Sequence, residues 1–438
     1  MLREEDITIE LKCQQYICNC YMRDMEEKQS VLLFESRQET EKVSCPRCGG
    51  KVYIDGYGSE TLKDMPIWYG MSQELTFQPH RYECVVCGRK FTEEIPLRHP
   101  GTRVTDRAAK WIQAMLRYKV SIRSIQGITG IHWETIRKLH MEIMTETLAE
   151  HEAALKASGY KPRILAVDEF AIHKGHTYAT CVMDLESGEV LWVGRGRSKE
   201  DFARFFEETD PAFLSTVMAV AMDMNASYHI LVKEHLPHAQ IVYDRYHMHA
   251  QFGKDVLGVV RLEEAKAHKE RARAIQESLS SLEVEERKRA KEEARAEQRQ
   301  YSQIKRARWA LLSNAETLSA QGAEHLAGIL DSHSNLAVCY AMKEEMNRLF
   351  DLRDVLAAAT GWKNWFTAAK ESGIPALVRF AELKEKRIDG LVAHAIHPIS
   401  TGKLEGFNNK IKVAKRLAYG YRDDLFFFSL VRFLSLIP

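Results

Sequence analysis

Three aspartates in the middle of the sequence each follow an apolar run. Asp168 follows Ile-Leu-Ala-Val, Asp223 follows Val-Met-Ala-Val-Ala-Met, and Asp244 follows Ile-Val-Tyr. Such runs are typical of buried strands, and open α/β sheets bind ligands where their strands end. Because divalent cations such as Mg²⁺ prefer carboxylate oxygens, the three acids together predict a metal site at one sheet edge. For any one of them, the alternative is an aspartate that caps the following turn.

A second candidate site consists of two Cys-x-x-Cys pairs, Cys45–Cys48 and Cys84–Cys87, each followed directly by glycine. Two intervening residues allow both sulfurs of a pair to reach one tetrahedral ion, and four thiolates leave no open coordination position. We therefore predict one structural Zn²⁺; four unrelated buried thiols are the alternative. The sequence assigns no role to the other N-terminal cysteines, Cys13, Cys18 and Cys20.

Positive charge is concentrated in two segments, although the whole chain has 62 basic and 61 acidic residues and a net charge of +1. Residues 101–140 contain eight basic and two acidic residues, and residues 401–422 contain six basic residues and one acid. Local excesses of this kind, and not the total charge, are what attract a phosphate backbone.

The first basic segment has the pattern of a helix-turn-helix. Ser121 begins a predicted helix, Gly130 ends it, and a second helix begins at His132. In a helix-turn-helix the second helix enters the major groove of DNA, which predicts Thr135, Arg137 and Lys138 as outward contacts. A plain three-helix bundle with a basic face explains the pattern equally well.

The second basic segment contains one isolated acid, Glu405. On a helix, Glu405, Asn409 and Lys412 fall on one face. An acid in this setting could be a metal ligand beside a phosphate backbone, or a salt-bridge partner for the surrounding lysines.

Alternating strands and helices are predicted to position these side chains. Predicted strands cover residues 163–170, 178–183, 190–193, 216–222 and 240–243, and helices begin at Ser198 and Asn225. Residues 245–400 are predicted to be helical almost throughout, and the charged run at 283–299 is interpreted as a solvated helix face.

Composition and length bound the class of protein. A chain of 438 residues with 45% hydrophobic and 28% charged residues predicts a globular protein of several folded units. It has no apolar run long enough to span a membrane, and its acidic start has no signal core. We therefore expect a cytoplasmic protein without a membrane partner.

The order of these parts resembles the DDE transposases of bacterial insertion sequences, specifically the ISL3 family, over nearly the whole chain. The motifs that carry the resemblance are CPRCGG, CVVCG, VDEFAIHKGHTY, MDM, IVYDRYHMH and TGKLEGFNNKIKVAKRLAYGYR. The resemblance implies an α/β multidomain chain with an RNase H-like catalytic core and a large helical insertion, preceded by a zinc-binding knuckle and a helix-turn-helix.

The expected segments follow from this resemblance. They are an N-terminal segment at 1–40, a zinc-binding domain at 41–98, a helix-turn-helix domain at 99–155, the first part of the core at 156–244, the helical insertion at 245–398, and the C-terminal helices of the core at 399–438.

The resemblance also implies roles for particular residues. Asp168, Asp223 and Glu405 would be the DDE triad that holds two Mg²⁺ or Mn²⁺ ions, with Asp244 and His247 in a supporting role. The bases expected to hold DNA phosphates near these ions are Lys410, Lys412, Lys415 and Arg416.

The implied partners are the double-stranded DNA of the terminal inverted repeats and of the target, and a second copy of the chain. The implied location is the nucleoid of a bacterial cytoplasm. Two other functions fit the same parts: a structure-specific RNase H-like endonuclease without strand transfer, and a non-catalytic, zinc-containing regulator derived from a transposase.

Overall fold

The computed structural model describes residues 16–24, 29–66, 72–173, 177–399, 402–417 and 421–437. The chain folds as two units, residues 1–154 with 412–438 and residues 155–411. The boundaries fall inside the helices Trp133–Ser158 and Gly402–Leu417. This division differs from the six expected segments, because residues 412–438 group with the N-terminal unit. Cys13 lies outside the described residues.

The first unit contains strands, three consecutive helices and the C-terminal helix. Its strands are β1 (Tyr16–Asp24), β2 (Gln29–Ser36), β3 (Val52–Tyr57), β4 (Glu60–Asp64), β5 (Ser72–Gln78), β6 (His80–Cys84) and β7 (Lys90–Thr92). Its helices are α1 (Asp106–Arg117), α2 (Ile122–Thr129), α3 (Trp133–Ser158) and, at the end of the chain, α17 (Asp424–Leu436).

The strands of this unit form two sheets. One has the order β1-β2-β5-β4, with β2 and β5 parallel and the other pairs antiparallel. Alternate residues of β5 are buried, as a strand with one face on a core requires, and the rings of Phe34 and Phe77 stack at 4.9 Å inside it. The other sheet has the order β3-β6-β7 and carries the four-cysteine site.

Helices α1, α2 and α3 share an apolar core to which Ile112, Ile125 and Ile136 contribute. The predicted helix start at Ser121 is confirmed, because its side chain accepts a hydrogen bond from the Ser124 amide. The predicted stop at Gly130 is confirmed as well: this residue has φ +64°, a left-handed conformation that glycine adopts without strain.

The C-terminal helix packs against α3. The His140 ring of α3 lies edge-on to Phe426 and Phe433 of α17, at centroid distances of 5.4 and 6.2 Å. This apolar contact is the physical reason that α17 groups with the first unit, whereas the sequence placed it with the core.

His140 gives this contact a predicted pH dependence. Burial lowers the pKa of His140 to about 4 from its usual 6.5, and neither ring nitrogen has a hydrogen-bond partner among the described residues. The unfolded chain takes up the proton first, so stability is complete above pH 6.5 and falls as the pH approaches 4. We expect the free energy of unfolding to be about 2 kcal/mol lower at about pH 5 than at neutral pH, since each unit of pKa difference is worth roughly 1.4 kcal/mol.

Urea unfolding at neutral pH and near pH 5 measures this loss. Between these two pH values His140→Phe should lose about 2 kcal/mol less stability than the wild type, whereas His132→Gln, at a histidine whose side chain is 62% exposed, should behave like the wild type. Equal pH dependence in the wild type and His140→Phe would contradict the assignment.

The second unit combines a sheet with many helices. Its strands are β8 (Ile164–His173), β9 (Thr177–Asp184), β10 (Val190–Arg195), β11 (Ala219–Met222) and β12 (Gln240–Tyr243). Its helices are α4 (Lys199–Glu208), α5 (Pro211–Leu214), α6 (Ala226–His235), α7 (Arg245–Phe252), α8 (Gly258–Ser278), α9 (Val284–Arg306), α10 (Arg308–Leu312), α11 (Ala320–Ser332), α12 (Ser334–Asp351), α13 (Val355–Glu371), α14 (Pro375–Glu385) and α15 (Ile388–Ile396). Helix α16 (Gly402–Leu417) begins in this unit and ends in the first.

The sheet has the order β10-β9-β8-β11-β12. Strands β10, β9 and β8 are antiparallel neighbours, and β8, β11 and β12 are parallel neighbours. The predicted capping box of α4 is confirmed, with Ser198 and Asp201 each bonded to the other's backbone amide. Strand β11 is shorter than predicted, because its ladder with β8 begins only where Ala219 pairs with Ile164.

The long helical region packs around aromatic side chains that include Trp362, Trp365 and Phe366. Helices α8 and α9 lie antiparallel, as the bond from Arg261 to the Lys305 carbonyl near one end indicates. The charged run at 283–299 is mostly exposed on α9, which confirms its interpretation as a solvated face. None of the helices in the described ranges is both long and apolar enough to cross a membrane.

Candidate active site and metal centre

The structure brings Asp168, Asp223 and Asp244 to the same level of three adjacent parallel strands. The residues that precede these acids pair in register across β8, β11 and β12. Because neighbouring strands lie about 4.8 Å apart, Asp223 stands one strand spacing from each of the other two acids. All three side chains remain partly exposed, at 25%, 40% and 11%. Solvent, ions and a substrate therefore have access to this edge.

One detail of the predicted edge was wrong. Asp168 does not end its strand, because β8 continues to His173 alongside its antiparallel partner β9. The level of the three acids is instead set by β11 and β12, which stop at Met222 and Tyr243.

Helix α7 places His247 among these carboxylates. Asp244 caps this helix by accepting a hydrogen bond from the Tyr246 amide at 2.7 Å, which fixes where the first turn begins. The imidazole of His247 then lies 3.8 Å from Asp168, 4.0 Å from Asp223 and 3.9 Å from Asp244, measured from nitrogen to carboxylate oxygen. One side chain thus approaches all three acids.

Asn408 of α16 holds Asp168 from another direction. Its side chain is only 7% exposed, and its Nδ2 donates to Oδ2 of Asp168 at 2.7 Å. Burial raises the pKa of Asp168, and this hydrogen bond opposes the rise by stabilising the ionised carboxylate. The Oδ1 atom of Asn408 is buried and has no hydrogen-bond partner within the described ranges.

Glu405 lies on the same helix, three residues before Asn408. Residues three apart are neighbours on a helix surface, so Glu405 stands one turn from the contact between Asn408 and Asp168. Its side chain is exposed. In the part of the chain that the structure describes, no hydrogen bond or ion pair joins it to Asp168 or Asp223, so the two aspartates are brought together without it.

A second carboxylate, Glu169, lies next to Asp168 in β8. Asn225 donates to it at 3.5 Å, and the Arg197 guanidinium lies 3.8 Å away. Burial raises the pKa of Glu169, while a hydrogen bond from Tyr228 lowers it. The Tyr228 hydroxyl is itself 2.8 Å from that of Thr180. These contacts fix Glu169, in the middle of β8, beside the three aspartates.

Asp223 is held from the helical region. Its Oδ1 accepts a hydrogen bond from Gln251 at 3.3 Å, and Lys384 donates to Oε1 of the same Gln251. Burial lowers the pKa of Lys384, and the nearby Asp223 charge raises it. Asp223 is therefore linked to helix α14 through one amide.

The four predicted cysteines form a single group. Their sulfur atoms all lie within 4.8 Å of one another, with Cys45 3.6 Å from Cys87 and Cys48 3.5 Å from Cys84. Sulfurs that bind one tetrahedral zinc at about 2.3 Å lie about 3.8 Å apart, so this arrangement is compatible with zinc. Among the described residues it is the one group of three or more Cys, His, Asp or Glu side chains this tightly gathered.

The Cys45 thiol has a lowered pKa and ionises more readily than an ordinary cysteine. Burial alone would raise its pKa, but hydrogen bonds from the backbone amides of Arg47 and Cys48 and from the neighbouring thiols lower the pKa of Cys45 to about 6. Thiolates, and not thiols, bind metal ions. The backbone geometry of this turn therefore favours the ligand form of the residue.

The predicted DNA contacts of α3 are partly engaged within the first unit. Arg137 pairs with Asp423, and Lys138 donates to the Gly101 carbonyl at 2.9 Å. Thr135 is partly buried. Arg137 and Lys138 therefore make contacts that stabilise the first unit.

The predicted phosphate contacts lie along α16. Lys412 and Arg416 are exposed, and Lys410 and Lys415 are partly buried. Burial lowers the pKa of Lys415.

Sequence reasoning missed three residues at this site. Asn408 had a signal, since it lies on the apolar face formed by Leu404, Phe407 and Ile411, where a polar residue is unusual. Gln251 is one helical turn beyond His247, a weaker signal. The sequence contains no signal for Lys384, because it lies 133 positions after Gln251, the residue that it contacts.

Comparison with known proteins gives a consistent result. A family model described as a transposase, DDE_Tnp_ISL3, matches residues 165–431. The transposase for insertion sequence element IS1001 of Bordetella parapertussis is 32% identical over 391 residues, which cover 89% of this chain and 87% of that protein. The transposase for IS1557 of Mycobacterium tuberculosis is 25% identical over 387 residues, which cover 86% of this chain and 82% of that protein.

The family match includes the three register-aligned aspartates, His247 and Asn408, and it spans more than half of the chain. The similarity to the IS1001 transposase extends this likeness over most of the remaining sequence. The chain therefore belongs to the ISL3 family of insertion-sequence transposases.

Proposed function

We propose that this transposase binds the terminal inverted repeats of its insertion sequence and performs metal-dependent cleavage and strand transfer with Asp168, Asp223 and Glu405. The observation that carries the proposal is the register that aligns Asp168 with Asp223 at one sheet edge. Glu405 joins the proposal through its helix, since Asn408 of the same helix binds Asp168.

The sheet supports an RNase H-like catalytic core. In that fold the second acid follows the fourth strand, which lies beside the first. Here β11, the fourth strand of the sheet, is paired with β8, the first, and it is followed by Asp223. This favours Asp223 over Asp244 as the second acid of the triad.

The side chains at this edge fit divalent cations. Carboxylate and amide oxygens are preferred ligands of Mg²⁺ and Mn²⁺, and Asn408 adds a buried oxygen without a hydrogen-bond partner among the residues described. Asp168, Asp223 and Glu405 would hold two such ions. When bound, the ions would activate the attacking oxygen and stabilise the leaving oxygen of an in-line phosphodiester displacement.

Asn408 and His247 orient the carboxylates and lower the pKa of Asp168. Asn408 fixes one oxygen of Asp168, which leaves the other directed toward His247. The imidazole of His247 lies within 4.0 Å of all three carboxylates, and it lowers the pKa of Asp168. In the first step water attacks the phosphodiester at the transposon end and a 3′-hydroxyl leaves. In the second step that hydroxyl attacks a phosphodiester of target DNA, which forms the new phosphodiester and releases a 3′-hydroxyl of the target strand.

The remaining modules would bind DNA. Helices α2 and α3 are proposed as a helix-turn-helix that recognises the inverted repeats, with Thr135, Arg137 and Lys138 at its surface. The zinc-binding domain would support it, with one structural Zn²⁺ held by the four cysteines. Phosphate contacts are assigned to Lys410, Lys412, Lys415 and Arg416 of α16. Because two transposon ends must meet, the active form is proposed to be a homodimer.

Asn408→Asp should slow cleavage about 100-fold. The change replaces a hydrogen-bond donor to Asp168 with a second carboxylate, and a lost bond to a charged group alone costs roughly 1.5–3 kcal/mol. It also raises the pKa of Asp168, so the acid limb of the pH–rate profile should move to higher pH. Single-turnover cleavage measures both effects. Asn364→Asp adds the same charge at an exposed position of α13 and should stay within a few-fold of wild type; equal rates for both variants would exclude a role for Asn408.

Joining a pre-cut transposon end to a plasmid tests the function as a whole. The proposal predicts joined products that require Mg²⁺ or Mn²⁺ and a terminal inverted repeat. Cleavage without joining would identify a structure-specific endonuclease instead. Repeat binding with neither reaction would identify a regulator derived from a transposase.

A further inference from the structure

We propose that Gln251 and Lys384 are positioning residues that orient Asp223 for cation binding. This inference rests on the proposed function, because it concerns how the second acid of the triad is held. It also assigns a role at the active site to helix α14 of the long helical region.

The three side chains form one chain of hydrogen bonds. Lys384 donates to Oε1 of Gln251, and Nε2 of Gln251 donates to Oδ1 of Asp223 at 3.3 Å. A further bond to the same Oδ1, from the Met224 amide at 2.6 Å, holds this oxygen from the backbone. Oδ2 of Asp223 faces His247 at 4.0 Å.

The Lys384 ammonium determines the orientation of the Gln251 side-chain amide. A Gln side chain can present either its oxygen or its NH₂ group to a neighbour, and an ammonium can only donate. With Lys384 bound to Oε1, Gln251 must turn its NH₂ group toward Asp223. One carboxylate oxygen is then held by two donors, and the other keeps its lone pairs for an ion.

Lys384 is itself fixed in place. Its ammonium lies 5.5 Å from the centroid of the Phe380 ring, one turn earlier on α14, and its side chain is partly buried. Gln251 lies one turn beyond His247 on α7, two residues before the π-helical segment Gly253–Leu257 that joins α7 to α8. The positioning pair therefore joins two helices at the side of Asp223.

If Lys384 acted only as a positive charge, its removal would change cation binding in the opposite direction from the loss of a positioning residue. A lysine near a cation site repels the ion, so removing the charge alone would tighten cation binding. A positioning role predicts weaker binding, because the amide of Gln251 becomes free to turn its oxygen toward Asp223. The sign of the change thus distinguishes the two roles.

Mn²⁺ binding to the full-length protein, followed by electron paramagnetic resonance, tests the proposal without DNA cleavage. Lys384→Met and Gln251→Met should each weaken Mn²⁺ binding about tenfold, the usual effect of losing a residue that orients a metal ligand. The double variant should bind no more weakly than either single one, because both act through one bond to Asp223. Lys384→Arg, which keeps a donor, should restore most of the affinity.

Lys386→Met is the matched control, since Lys386 is exposed at the end of the same helix. It should bind Mn²⁺ like the wild type. Thermal unfolding without metal shows whether each variant is folded, and Lys384→Leu, which also lacks a donor, replaces the Met variant if that one is not.

Unchanged or tighter Mn²⁺ binding in folded Lys384→Met and Gln251→Met proteins would overturn the inference. Failure of the proposed function gives a different result: the wild type would then bind no Mn²⁺ that depends on Asp223, as measured with Asp223→Asn. The two failures are therefore separable in one set of titrations.

Discussion

Asp168→Asn is expected to abolish DNA cleavage and strand transfer, with a rate loss of at least about 10⁴-fold, which corresponds to about 5.5 kcal/mol of transition-state stabilisation. The substitution removes one negative charge and keeps the shape of the side chain, including an oxygen that can accept from Asn408. The backbone of β8 is held by strands on both sides and should not move. Single-turnover cleavage of an inverted-repeat duplex measures the loss.

DNA binding provides the control for this variant. The fluorescence anisotropy of a labelled repeat should give a dissociation constant within a few-fold of wild type, because the proposed DNA contacts lie on α3 and α16. Substantial strand transfer by Asp168→Asn would remove this residue from the triad.

Asp223→Asn and Asp244→Asn form a matched pair for the second acid. Both residues follow parallel strands at the same level, but Asp244 also caps α7 through the Tyr246 amide. We expect Asp223→Asn to be as inactive as Asp168→Asn and Asp244→Asn to retain measurable activity. The reverse order would mean that Asp244 is the second metal ligand.

Loss of zinc should have the other large effect. The sheet β3-β6-β7 has a small core that includes Val52 and Tyr82 together with Cys45 and Cys84. Structural zinc contributes about 10–16 kcal/mol to small domains of this kind, so we expect Cys45→Ser with Cys84→Ser to unfold this sheet and abolish binding to the repeats. Metal analysis should give one zinc per wild-type chain and none in the variant, and limited proteolysis should cut the variant near β3 or β6.

Cys339→Ala is the control for the zinc experiment. Cys339 is a free, buried cysteine of the second unit, so its replacement should leave one zinc per chain. Zinc retained in full by the double Ser variant, or a wild-type protein purified without any metal at the four thiols, would contradict the assignment.

The parts of the fold that follow local rules could be predicted from the sequence. The capping box of Ser198 and Asp201, the stop at Gly130 and the four-cysteine group all depend on residues close in sequence or on a repeated motif. The acids at the ends of β11 and β12 were found for the same reason, since an apolar run that stops at a carboxylate is visible locally.

Contacts between distant segments could not be predicted in this way. The bond between Asn408 and Asp168 spans 240 positions, and that between Lys384 and Gln251 spans 133. The length of β8 depends on its pairing with β9, and the grouping of α17 depends on the contact of Phe426 with His140. Each of these features is decided by tertiary packing, which local periodicity does not encode.

The claim that Asp168, Asp223 and Glu405 hold two catalytic cations is tested most directly by anomalous diffraction from crystals of the protein bound to repeat DNA and Mn²⁺. We expect two manganese peaks at this sheet edge, about 3.5–4 Å apart, held by Asp168, Asp223 and Glu405 together. Manganese peaks bound without Glu405, or none at this sheet edge, would contradict it.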